Sequence, residues 1–450
     1  MSRAAWAGML TVLVVAVVVA AAFAGMVLGL NDQSDAQRAR LAADQPAPPS
    51  WGTTGNALTT AELHALAGAR TAAIRDGDLD RFLAPLAPDA KLRRSQTRLF
   101  NNLRKLDLQV ATYKPIGDLG RASDSFGRRV TLEFDVAFEH QLRRFDTQPA
   151  VEWYRWTVTK ASRDAQPVIT AVTGAPELGD HTVAWPAPWD RYPEMQVVTG
   201  RRVLMLVDAP MAATARRWLP TAEAAAQENL ATWRASGATG QINEHYVLTI
   251  VPNRRELDAL WDAEKDYRDA AGIAIPMRSP DPIEPRSGSV RIVLDGSSGY
   301  FSDTAGVLEL MRHEMAHALA DGLTGTSTTL DGWITEGFAE YVAHLGRRHS
   351  SKADGARRAV AAGAKLRLEP YRFDYFNIIE GQTHVDYFTG HQAMRYLAKK
   401  YGPKAPFLLV SAYYRDADRD AALAAVGAPD FNTFRRAALA YAKAELRKNQ

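Results

Sequence analysis

From Ala4 to Leu30 the chain runs for twenty-seven residues without a charge, and Thr11 is the only clearly polar side chain among them. As a helix rising 1.5 Å per residue, such a run spans about 40 Å, more than the ~30 Å hydrocarbon core of a bilayer. Arg3 precedes the run and Asp32 and Asp35 follow it, an asymmetry that predicts the N-terminus inside and the remaining chain outside the cytoplasm. A single-pass membrane anchor over residues 1–31 is therefore expected. The alternative is a cleaved secretory signal, because Ala22-Phe23-Ala24 fits a small-x-small cleavage site. Residues 32–57 are rich in Asp, Gln, Ala and Pro, with Pro46, Pro48 and Pro49 close together. That composition predicts a semi-extended stalk.

Periodic patterning begins after the stalk and predicts a first folded unit over residues 58–175. Thr59 and Glu62 make a capping box. Leu63, Leu66, Ala67, Ala73 and Ile74 then share one helix face, which Gly77 ends. A short helix follows with Leu79, Phe82, Leu83 and Leu86, and then a basic helix with Lys91, Arg93, Arg94, Arg98, Arg104 and Lys105, whose charges read as a solvated face. The period then changes to two. Val130, Leu132, Phe134, Val136 and Phe138 alternate with Thr131, Glu133, Asp135, Ala137 and Glu139, the pattern of a half-buried strand. Leu106–Tyr113, Val151–Thr159 and Val168–Val172 are further strands. Helices first and an antiparallel sheet after predict an α+β arrangement.

Residues 176–196, with Trp185-Pro186-Ala187-Pro188-Trp189, read as a connection. The second unit, residues 197–450, opens with a strand at Val203–Val207, a long helix over Ala212–Trp233 that contains Pro220, and a strand at Tyr246–Val251. A helix begins at Glu256, Ser279–Ser289 reads as a loop, and Val290–Leu294 is a short apolar strand. Beyond Asp303 nearly everything has helical period.

Composition narrows the chemistry. The chain is 46% apolar and 23% charged, which excludes a wholly disordered protein. A net charge of +3 over 450 residues gives no global field to attract a polyanion, so no nucleic-acid partner is expected. There is no cysteine. Disulfides, thiolate metal ligands and cysteine nucleophiles are thereby removed together.

One apolar helical run carries the chemistry: Leu310-Met311-Arg312-His313-Glu314-Met315-Ala316-His317-Ala318-Leu319, with Asp303 or Thr304 as N-cap. His313 and His317, four residues apart, lie one turn apart on one face and can reach one ion. Glu314 points to the neighbouring edge, where it can act as a base. Downstream, Asp331-Gly332-Trp333-Ile334-Thr335-Glu336-Gly337-Phe338-Ala339-Glu340-Tyr341 places two carboxylates four apart on a second helix. The eighteen residues between His317 and Glu336 include Gly322, Gly325 and Gly332, enough turn chemistry for that helix to fold back. Glu336 would complete a set of three ligands and leave a fourth position open.

These strings resemble the gluzincin zinc metallopeptidases, and the eighteen-residue gap with Glu-Gly-Phe-Ala is similar to the aminopeptidase branch of that clan. The resemblance covers roughly residues 290–402. It implies a thermolysin-like catalytic domain with a mixed sheet and a mostly helical C-terminal part. It also implies one zinc ion on His313, His317 and Glu336, with Glu314 as general base and a peptide or protein as substrate. Glu340 stands where the clan places a carboxylate behind a ligating histidine, and Asp321 is a weaker candidate for that role. Tyr387-Phe388-Thr389-Gly390 resembles the branch's Tyr-x-x-Gly segment, which makes Tyr387 a donor to the oxyanion, with Tyr371, Tyr375, His384 and His391 as competitors. His344 and His349 read as surface residues. Val290–Leu294 is the expected edge for an extended peptide. The branch's Gly-x-Met-Glu-Asn string is missing; Leu294-Asp295-Gly296-Ser297-Ser298-Gly299-Tyr300 stands upstream of His313 instead. Without that string, recognition of a free amino terminus has no basis. Residues 58–175 resemble, in element order, the cone-shaped nuclear transport factor two family. The expected protein is a membrane-anchored extracytoplasmic zinc peptidase. The competing expectation is an envelope binding or scaffold protein that keeps this fold without turnover.

Overall fold

The structure, a computed structural model, describes residues 58–116, 122–123, 129–162, 164–175, 186–260, 270–280, 287–324, 330–346, 351–368 and 381–448. By its contacts the chain divides into Met1–Asn56 and Ala57–Gln450. The expected anchor, signal site and stalk all lie outside the described residues, as do Tyr371, Tyr375 and His349. Among the described residues no helix is long and apolar enough to cross a membrane.

The fold is α+β and built on two sheets. Helices α1 (Thr60–Asp76), α2 (Leu79–Leu83) and α3 (Ala90–Leu103) come first. The capping box forms as the sequence predicts: Glu62 N–H donates to Thr59 Oγ1 at 3.2 Å, and Thr59 N–H to Glu62 Oε2 at 2.9 Å. Gly77 ends α1 at φ 73°, where a side chain would be strained. The first sheet follows: β1 (Leu108–Ile116), β2 (Ala122–Ser123), β3 (Val130–Leu142), β4 (Ala150–Lys160) and β5 (Val168–Gly174). Its path is β1-β3-β4-β5 with β2 on β3, antiparallel throughout.

A one-turn helix, α4 (Pro188–Arg191), leads to the second sheet of β6 (Met195–Thr199), β7 (Val203–Asp208), β8 (Tyr246–Val251), β9 (Gly272–Arg278) and β10 (Ser287–Asp295). Helix α5 (Ala212–Ser236), which runs through Pro220, joins β7 to β8, and α6 (Arg254–Leu260) follows β8. The order is β6-β7-β8-β10-β9, with β7, β8 and β10 parallel to one another and β6 and β9 antiparallel to their neighbours. Seven helices follow among the described residues: α7 (Thr304–Asp321), α8 (Gly332–His344), α9 (Ser351–Ala361), α10 (Gln382–Tyr401), α11 (Ala405–Asp416), α12 (Arg419–Ala425) and α13 (Phe431–Lys448).

The second sheet departs from the sequence reading at its edges. Val290–Leu294 was expected as the edge, yet β10 lies between β8 and β9. The edges are β6 and β9, neither of them read as a strand from the sequence; in β9, Gly272 and Pro276 dilute the pattern. Proline cannot donate to a ladder, so it belongs on an edge strand.

The second sheet is apolar on both faces. Val203, Met205 and Val207 of β7 join a core with α5, α7, α8 and α10, and Leu204 and Leu206 join another with the first unit. On β8, Tyr246, Leu248 and Ile250 face the helices, while Val247 and Val251 face the other way. A continuous apolar run such as Val203-Leu204-Met205-Leu206-Val207 is what a strand covered on both sides requires. The first unit is that second cover. Residues read as a connection are part of the shared core, with Trp189 1% exposed. Asn102 donates to the carbonyls of Trp189 and Tyr192 at 3.0 and 2.9 Å.

A buried ion pair pins the two layers. The Asp146 side chain, 0% exposed, takes Arg291 Nη1 at 2.7 Å and Nη2 at 3.1 Å, and Ser289 Oγ donates to it at 2.6 Å. Burial alone would raise the Asp146 pKa, but the Arg291 charge and these hydrogen bonds hold it below the usual carboxylate range. Removing one partner of such a pair leaves an uncompensated buried charge. Arg291→Ala is expected to destabilise residues 58–448 by about 3–5 kcal/mol, read as a lower urea midpoint.

Candidate metal centre

Helix α7 starts where the Asp303 carboxylate accepts the Gly306 N–H at 2.7 Å. Val307, Leu310, Met311 and Met315 are buried on its core side. His313 and His317 project together toward α8, with ring centroids 4.9 Å apart. Glu336 meets them from the first turn and a half of α8. His317 Nε2 stands 3.1 Å from His313 Nε2 and 3.1 Å from Glu336 Oε2, and His313 Nε2 stands 3.3 Å from Glu336 Oε2. Three lone-pair atoms thus form a near-equilateral triangle. Ligands at 2.0–2.1 Å around a tetrahedral ion are about 3.3 Å apart, so the residues fit a zinc-sized cation.

The other candidates distribute around this triangle. Glu340, 0% exposed, brings Oε1 to 2.9 Å from His313 Nδ1. The carboxylate thus stands behind the His313 ring, whose Nε2 is turned to the triangle. Glu314 is buried, and its Oε1 lies 2.9 Å from where a Cβ on Gly272 would stand. The carboxylate therefore sits against the start of edge strand β9. Tyr387, half-buried on α10, has its ring 6.0 Å from that of His313. His391 is elsewhere: it stacks on His344, with centroids 5.3 Å apart. His384 is exposed, and Asp321 has Ser287 as its side-chain partner, not a ligating histidine. His344, read as a surface residue, is 6% exposed with Nε2 3.1 Å from Glu309 Oε1. The missed signal was the spacing of Glu336, Glu340 and His344 at four-residue intervals on an apolar helix.

Two glycines explain why the strings read as they do. An added Cβ on Gly337 would fall 2.6 Å from the Gly390 carbonyl oxygen, and one on Gly390 would fall 3.1 Å from Gly337 Cα. Helices α8 and α10 thus cross backbone to backbone, which only glycine permits. Glu336 precedes one of these glycines, and Tyr387 stands one turn before the other.

Burial pushes the His313 pKa down, but Glu336, Glu340 and Glu314 outweigh it and carry it up to about 10. Burial raises Glu336, yet the two histidines hold it far below the usual carboxylate range. In the metal-free protein at pH 8, His313 therefore carries a proton in the place of a cation.

Metal uptake by these three atoms must displace that proton. Zinc titrated at pH 8 is expected to release about one proton per chain, read by calorimetry in buffers of different ionisation enthalpy, and apparent affinity should rise with pH until about 10. Gly337→Ala is expected to cost about 1–3 kcal/mol by forcing the two helices apart, measured by chemical denaturation.

No protein-family model matches the chain and no curated protein matches it either, so the reading of this centre rests on its own geometry.

Proposed function

We propose that the protein is a zinc-dependent peptidase of the gluzincin kind, held at the membrane by residues 4–30 with its folded part outside the cytoplasm. The observation that carries this reading is the triangle of His313 Nε2, His317 Nε2 and Glu336 Oε2, with sides of 3.1 to 3.3 Å. These three residues would hold the ion, and Glu340 would orient His313. Bound there, zinc would polarise a scissile carbonyl and acidify a water molecule from a pKa of about 16 towards 7.

The chain's own groups divide the remaining work. Glu314, beside Gly272, accepts the proton of the attacking water and passes it to the leaving amine. Tyr387 donates its hydroxyl to the developing oxyanion from the His313 side. An extended peptide adds to the outer edge of β9, where main-chain hydrogen bonds give affinity regardless of side chain. Residues 58–175 serve as a cone-like support that covers the back of the catalytic sheet, in a thermolysin-like arrangement.

Glu314→Gln separates binding from turnover. The variant is expected to keep one zinc per chain and to lose peptide hydrolysis by at least about 100-fold across a peptide library. Wild-type protein that takes up no stoichiometric zinc would sink the reading. Bound zinc without cleavage of any peptide would favour a silent binding protein instead.

A further inference from the structure

Behind the triangle a second line of polar side chains crosses the helix layer. Glu336, Glu340 and His344 occupy successive turns of α8, Glu309 stands one turn before His313 on α7, and His391 faces them from α10. Glu340 Oε1 is 2.9 Å from His313 Nδ1, and Glu340 Oε2 is 3.5 Å from His344 Nδ1. The same Nδ1 lies 2.9 Å from the Glu340 backbone oxygen, while Nε2 lies 3.1 Å from Glu309 Oε1. The His391 ring stacks on His344 at an interplanar angle of 27°. His391 is 3% exposed.

Two roles suit such a cluster, and the contacts already made choose between them. As a second metal centre, Glu340, His344 and His391 would each have to offer a ligand atom to one ion, and Glu340 Oε1 already stands 2.9 Å from His313 Nδ1. Both His344 nitrogens, moreover, already face oxygens of Glu340 and Glu309. A brace fits better. A carboxylate's terminal torsion is soft, so what packs beside Glu340 Oε2 bears on where Oε1 points, and His344 Nδ1 stands 3.5 Å from Oε2.

We propose that His344 is a positioning residue for the metal centre. Tied to Glu309, to its own helix and to the face of His391, it fixes the Glu340 carboxylate from behind. Oε1 thereby stays on His313 Nδ1, and His313 Nε2 stays turned to the ion. The proposal rests on the reading of His313, His317 and Glu336 as metal ligands.

The test compares His344→Ala, His344→Asn and His344→Gln in the full chain by zinc competition against a chelator and by the visible spectrum of bound cobalt. Asparagine places a donor near the position of Nδ1, toward Glu340; glutamine reaches toward Glu309 instead. Alanine is expected to weaken zinc about tenfold and to alter the cobalt bands. Asparagine should restore affinity to within about threefold and glutamine should not. A purely packing role predicts no such split. Equal affinities across the three variants would overturn the proposal, as would a second zinc per chain that His344→Ala removes. Should the alanine variant not fold, Glu309→Gln carries the test: a loss of about threefold is expected, and wild-type affinity overturns it. Wild-type protein that binds no zinc at all would instead strike the ligand assignment.

Discussion

The contact between Gly337 and Gly390 sets the distance between two helices, and the centre depends on that distance. Each residue of the α8 face has a role given by its turn: Glu336 closes the triangle, Glu340 reaches His313, and His344 reaches Glu309. Helix α10 supplies Tyr387 on one side of that crossing and His391 on the other. A methyl group at the crossing would move all of these together, because neither helix can yield alone in a close-packed interior.

Much of this was readable in the residues, and for a physical reason. Ligand spacing on a helix is a local property: positions 313 and 317 share a face whatever the fold does around them. The same holds for the capping box at Thr59 and for the alternation along β3. What was not readable depended on partners far away in sequence. Strand β9, with Pro276 inside it, has a neighbour on one side only, and that neighbour is set by the fold rather than by local pattern. His344 looked like a helix-end residue because Glu309, its partner, lies thirty-five residues earlier. The run Val203–Val207 showed burial but could not say that different layers cover alternate side chains.

Charge in the helix layer follows one logic. Glu309, Glu336 and Glu340 stand within 2.9 to 3.5 Å of the ring nitrogens of His313, His317 and His344, and Glu314 lies close by on α7. Buried carboxylates gathered this closely demand positive charge. In the metal-free centre a proton on His313 meets part of that demand. A divalent ion meets it better, which links the strong basicity of His313 to the affinity of the site.

The two-faced sheet has a consequence for proteolysis. A cut in a connecting segment frees a unit only when the face it leaves behind can meet water. Here that route is closed for residues 58–175, since cleavage in the 176–196 stretch would leave Leu204, Leu206, Val247 and Val293 bound to a layer they cannot release without exposing an apolar face. Residues 58–175 are therefore lasting architecture of the folded body.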